Sequence, residues 1–204
     1  MLAMDKVIVS VATTGSGPTR QMTPYLPQTP EEIAAAAIEC WREGASIVHV
    51  HVRDEQGLPI CDVDRQRRVM EIIREQGCDM LINLTTSGGR NTANAQELRF
   101  GPVDLHPDLV SFDAGTMNFN DGVFSNPPAF LRELALRTRE AGVKPEIECF
   151  DNGMIYNAMR LVEEGLIRPP LFFQFVLGVK GGAPATMKQL VHMVEQIPSD
   201  APWS

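Results

Sequence analysis

The chain has 204 residues and a formal net charge of -8, with 44% hydrophobic and 22% charged residues. That length suits one substantial domain, and the balance is ordinary for a soluble globular protein. The acidic charge, with no run of Lys or Arg, argues against a phosphate backbone or an anionic membrane as the main partner.

The start, MLAMDKVIVS, has no charged leader followed by a long apolar stretch, and nowhere do eighteen apolar residues run together, so a cytoplasmic location is the default expectation. Cys40, Cys61, Cys78 and Cys149 are widely spaced with no C-x-x-C, which indicates neither a zinc knuckle nor a disulfide framework. They are expected to be small buried thiols.

Short runs rich in Val and Ile alternate with segments of helical period. KVIVSVATT (6–14) predicts the first strand, followed by a loop holding Gly15, Gly17, Pro18, Pro24 and Pro27. TPEEIAAAAIECWREG (29–44) predicts a helix with Thr29 as N-cap, Pro30 in the first position, Glu32 three residues after the cap and Gly44 as the stop. ASIVHVHVRD (45–54) reads as a second, buried strand. DVDRQRRVMEIIREQG (62–77) is amphipathic, and DMLINLTT (79–86) is a third strand running into Ser87, Gly88 and Gly89.

The alternation then repeats. PDLVSFDAG (107–115) predicts strand four, and NPPAFLRELALRTREAG (126–142) a helix with Asn126 as cap, Pro127 first and Gly142 as stop. VKPEIECFD (143–151) is strand five, NGMIYNAMRLVEEG (152–165) a helix, PLFFQFVLG (170–178) strand six and TMKQLVHMVEQI (186–197) another helix. Six strand-then-helix units imply parallel strands joined by crossovers, hence an open doubly wound sheet or a closed barrel.

Polar residues collect where strands end: Thr13, Thr14, His49, His51, Thr85, Thr86, Asp113, Glu146, Glu148 and Gln174. A barrel brings all such ends to one mouth, which favours a (β/α)8 TIM barrel over an open sheet. Residues 1–204 are therefore expected to form a single (β/α) barrel domain, α/β in class, with about six of the eight βα units and an incomplete C-terminus. Trp203 reads as the start of a seventh strand.

Period two puts His49 and His51 on one strand face with Ile47, while Val48, Val50 and Val52 point the other way. Two adjacent buried imidazoles need hydrogen-bond partners or a metal. H-x-H offers two nitrogens to one ion, and catalytic zinc sites combine three protein ligands with an open position. The alternative is two histidines bonded to carboxylates such as Glu148 or Asp113, and the spacing leaves both open. Glu146 and Glu148 share a face and could serve as acid, base, metal ligand or members of an ion-pair network. TTSGGR and LGVKGG could cradle an anion on backbone N–H groups or could be tight turns. His106 and His192 stand alone, and nucleotide-binding fingerprints are absent.

In order, ATTGSGPTR, PYLPQTPEEIA, EGASIVHVHVRDEQGLP, NLTTSGG, SFDAGTMNF, VFSNPPAFL, GVKPEIECFDNGM and PPLFFQFVLGVKGG resemble the β-keto acid cleavage enzymes, over Lys6 to Trp203. The resemblance implies a zinc-dependent barrel that exchanges parts between a β-keto acid and acetyl-CoA, giving acetoacetate and a new acyl-CoA. It implies His49 and His51 as metal ligands, and Thr86, Gly89 and Ser111 as substrate contacts. It also implies a homotetramer. The family's late segment, with a zinc-binding glutamate and the general base, has no counterpart before Ser204, so both are expected beyond that residue. The aminohexanoate-cleaving member carries an acidic residue two positions after the T-G of the first loop. Gly17 stands there here, which argues against a substrate with a 5-amino group. Rival readings are a metal-dependent barrel hydrolase and an inactive truncated barrel acting as a partner subunit.

Overall fold

The computed structural model describes residues 7–88 and 95–204, and the chain divides into two compact units, one ending at Leu109 and the other starting at Val110. The first unit holds β1 (Ser10–Ala12), α1 (Pro30–Arg42), β2 (Ile47–Val50), β3 (Val52–Arg53), β4 (Pro59–Ile60), α2 (Val63–Glu75), β5 (Leu81–Leu84), α3 (Ala95–Leu98) and a 3-10 turn at Gly101–Leu105. β1, β2 and β5 lie side by side in chain order and are parallel, with Ala12 opposite His49 and His49 opposite Asn83. The Thr29 hydroxyl accepts from the Glu32 amide at 3.2 Å and the Glu32 carboxylate accepts from the Thr29 amide at 3.2 Å, the reciprocal cap expected at the start of α1. That cap aims Ile33, Ala34, Ala37 and Ile38 into the core, where Val48, Val50, Val69 and Ile73 are fully enclosed.

β1 is shorter than its apolar run. Val9 accepts from the Ser46 and Ile47 amides, but Val7, Ile8 and Val9 are exposed and lie outside the ladder. The histidine run also breaks: the ladder stops at Val50, and Val52 and Arg53 turn into an antiparallel pair with β4.

The second unit holds most of β6 (Leu109–Asp113), then β7 (Met117–Phe119), β8 (Gly122–Phe124), α4 (Pro128–Ala141), β9 (Lys144–Cys149), α5 (Asn152–Glu163), β10 (Phe172–Phe175) and α6 (Met187–Val194). β6, β9 and β10 neighbour one another in that order, with β9 and β10 parallel and Glu148 opposite Gln174. Trp203 bridges in parallel to Phe173, and Ser204 exchanges backbone hydrogen bonds with Phe173 and Phe175, so the last residues do begin a further strand.

The start of α4 differs from expectation. Pro127, not Asn126, is the N-cap residue and makes no side-chain cap; the Asn126 amide group instead donates to the Gly115 carbonyl at 3.0 Å, tying the helix entrance to the end of β6. The architecture is α/β: six parallel-sheet strands in chain order, each followed by helix, the repeat of a (β/α) barrel. Among the described residues no helix is long and apolar enough to cross a membrane.

Candidate active site

In the first unit the polar rim is built on the ends of β1, β2 and β5. The His49 and His51 rings stack with centroids 4.8 Å apart and planes 5° from parallel, as period two requires. His49 is 8% exposed, and the Asn83 amide nitrogen, opposite it on β5, lies 3.4 Å from His49 Nδ1. Thr14, at the end of β1, donates from its hydroxyl to the His51 carbonyl at 3.0 Å. Burial, with the nearby His49 and Arg53, holds the His51 imidazole well below its ordinary pKa. It is therefore neutral at pH 7, the form that ligates a metal.

The loop after β5 is internally bonded. The Ser87 amide donates to the Thr85 hydroxyl at 3.0 Å, Gln66 donates to the Thr85 carbonyl at 3.0 Å, and Arg99 donates to the Thr86 carbonyl. Thr86, an expected substrate contact, is fully buried. Gly88 has φ +129, and a Cβ there would come within 2.8 Å of the Ile60 carbonyl carbon, so one glycine of TTSGGR answers to backbone crowding. Gly89 lies outside the described residues.

In the second unit Glu146 and Glu148 are buried on one face of β9, and Asp113 and Ser111 are buried on β6. Burial, then the carboxylates of Asp113 and Glu146, push the Glu148 carboxyl well above the usual range. The LGVKGG stretch is a docked turn. Gly178 donates to the Ala183 carbonyl, Gly182 to Val179 and Ala183 to Phe150, while Lys180 pairs with Asp121. A Cβ at Gly181 would overlap the Asn118 carbonyl oxygen at 2.0 Å, so this glycine lets the turn lie on β7. Those three N–H groups are committed to backbone carbonyls and are not open to an anion.

The thiols are free; Cys61, Cys78 and Cys149 are buried, and Cys40 is half-buried. Burial pushes Cys61 up to about 11 and Cys149 well above its ordinary value, so neither supplies a thiolate nucleophile at neutral pH. His106 and His192 are exposed, away from the strand ends.

Among the described residues, His49 in the first unit and Glu146 and Glu148 in the second are each buried and each carry a group with the chemistry to hold a metal ion. The sequence pointed to His49 and His51, and the family resemblance placed the carboxylate ligand beyond Ser204. The signal for Glu146 and Glu148 was present in E-x-E at a strand's C-terminal end, the carboxylate counterpart of H-x-H.

A family model described as beta-keto acid cleavage enzyme matches residues 6–204. The chain belongs to the β-keto acid cleavage enzyme family. Within this family it is 40% identical over 202 residues to a 3-keto-5-aminohexanoate cleavage enzyme of Fusobacterium nucleatum, covering 98% of this chain and 73% of that protein. It is 36% identical to a 3-dehydrocarnitine:acetyl-CoA trimethylamine transferase of Rhizobium meliloti, covering all of this chain and 75% of that one. A solved structure of ObcA, in ternary complex with a C4-CoA adduct and oxalate, superposes with a TM-score of 0.69 at 27% identity, over 76% of this chain and 38% of ObcA.

Proposed function

We propose that this chain carries out zinc-dependent cleavage of a β-keto acid, condensing it with acetyl-CoA to give acetoacetate and a new acyl-CoA. The observation that carries the reading is the stacked H-x-H pair at the end of β2, with His49 buried and His51 half-buried, in a chain of this family.

The donor set fits the metal. Imidazole is a usual ligand of catalytic zinc, and His49 and His51 supply two such groups side by side. Bound there, the ion would polarise the β-keto carbonyl and make the carbon between it and the carboxylate acidic. The chain's own residues bind and orient. Asn83 fixes the His49 ring from the neighbouring strand. Thr86 and Ser111 offer hydroxyls to the substrate, and the resemblance makes Gly89 a third contact. Once a general base has taken the α-proton, the substrate carbanion attacks the thioester carbonyl, the released CoA thiolate adds to the β-keto carbon, and the carbon–carbon bond breaks to give acetoacetate and the new acyl-CoA. Gly17 offers no negative charge to a substrate ammonium, so the preferred β-keto acid lacks a 5-amino group. By the same resemblance the working assembly is a cytoplasmic homotetramer.

The test is to load the protein with zinc, measure bound metal, and follow acetyl-CoA-dependent acetoacetate formation over a panel of β-keto acids. About one zinc per chain and acetoacetate from neutral substrates, both lost in His49→Ala, are expected. A protein that binds no zinc, or whose turnover survives His49→Ala, contradicts the proposal.

A further inference from the structure

Arg53 is the largest of the fully enclosed side chains among the described residues, at 1% exposure. Its guanidinium spends its donors on backbone: Nη1 donates to the Gly57 carbonyl at 2.7 Å, and Nη2 to the Gly15 carbonyl at 2.9 Å and the Thr14 carbonyl at 3.4 Å. Its Nε is buried with no hydrogen-bond partner, and no described carboxylate lies within ion-pair reach of it.

A buried cation held only by carbonyls is a poor device for stability, since desolvating it costs several kcal/mol and an apolar side chain could fill the space. What an apolar side chain could not do is hold carbonyls from two loops at once. The planar fork reaches Thr14 and Gly15 after β1 and Gly57 between β3 and β4, and a lysine, with one nitrogen, cannot span them. The Gly15 backbone has φ +60, a left-handed turn that glycine adopts freely. The Thr14 hydroxyl adds a tie to the His51 carbonyl, two residues before Arg53. The loop after β1 is thus fastened to the H-x-H strand at Thr14 and Gly15, immediately before Ser16 and Gly17.

We propose that Arg53 is a positioning residue that clamps the Thr14–Gly15 corner onto the histidine strand and so sets the loop from Thr13 to Gly17 as a fixed wall for the β-keto acid. This rests on the function proposed above for the wall's role, but the clamp itself can be read without turnover.

The experiment compares the zinc-loaded wild type with Arg53→Lys and Thr14→Val. It uses hydrogen exchange of the 13–17 amides, bound zinc per chain, and steady-state kinetics with a neutral β-keto acid and acetyl-CoA. In Arg53→Lys the loop amides are expected to exchange at least ~10-fold faster with zinc content unchanged. KM for the β-keto acid is expected to rise ~10-fold or more while kcat changes less than ~3-fold, because the wall shapes ground-state binding. Thr14→Val, which leaves Arg53 in place, should shift both readouts the same way by a smaller factor. Unchanged loop exchange in both variants overturns the clamp. Faster exchange with unchanged KM overturns its role as a substrate wall. If Arg53→Lys does not fold, Thr14→Val decides between these outcomes. If the wild type itself makes no acetoacetate, the proposed function fails, and loop exchange alone still judges the clamp.

Discussion

β2 and β9 each set two ionisable side chains two residues apart at a strand's C-terminal end, yet burial drives the two pairs in opposite directions. On β2 the stacked imidazoles are cationic when protonated, so burial and the neighbouring positive groups keep His51 neutral. On β9 the carboxylates are anionic when deprotonated, so burial and mutual repulsion keep Glu148 protonated. His51 is ready to ligate a metal as it stands, whereas Glu148 holds its proton more tightly than a free carboxyl does. The difference teaches that equal spacing does not mean equal readiness.

The largest expected effect comes from breaking the histidine pair. His49→Ala should remove most bound zinc and lower acetoacetate production by more than about 100-fold, beyond the usual loss when only a metal ligand's outer hydrogen-bond partner is removed. Metal analysis of the purified variant, with a coupled acetoacetate assay, checks this.

Altering the carboxylate pair should show in stability. The folded pKa of Glu148 is raised, so the folded protein holds this proton more tightly than the unfolded chain does. Its contribution to stability is full below the ordinary carboxyl pKa and is lost as pH rises through the folded value. His51 runs the other way: its folded pKa is depressed, so its contribution is full above the ordinary histidine value and is lost as pH falls toward the folded one. Glu148→Gln should therefore raise the melting temperature of the metal-free protein at pH 8 and flatten its decline with rising pH. Thermal melts between pH 5 and pH 9 in the presence of a chelator measure both effects.

A subtler change sharpens the comparison on the histidine side. Asn83→Ala removes the polar neighbour of His49 Nδ1 without touching a ligand, and should weaken zinc about 10-fold in a competition titration. Smallest of all, Thr29→Ala breaks the cap of α1, away from both strands. It should cost about 1 kcal/mol in denaturant unfolding and leave zinc affinity unchanged.

Much of this was legible in the sequence where local rules govern. The Thr29 and Glu32 cap, the strand-helix alternation and the shared face of His49 and His51 all follow from short-range spacing. Asn126 was misread as a cap because the sequence does not show that its side chain is engaged by the Gly115 carbonyl. The β3–β4 and β7–β8 hairpins escaped notice since strands of two or three residues carry no measurable period. Arg53 could not be singled out either. An arginine two residues after a histidine looks like a solvated charge until the loops that enclose it are in place. Gly88 and Gly181 suggested anion cradles, whereas their backbones answer to the close approach of Ile60 and Asn118.

The most direct test of the central claim, that the H-x-H pair holds a zinc ion, is X-ray absorption at the zinc edge of the metal-loaded wild type beside metal analysis of His49→Ala. A wild-type shell containing imidazole nitrogen at about 2.0–2.1 Å, with most of the zinc missing from the variant, is the predicted result. A shell without imidazole scattering, or a full zinc complement in His49→Ala, would contradict it.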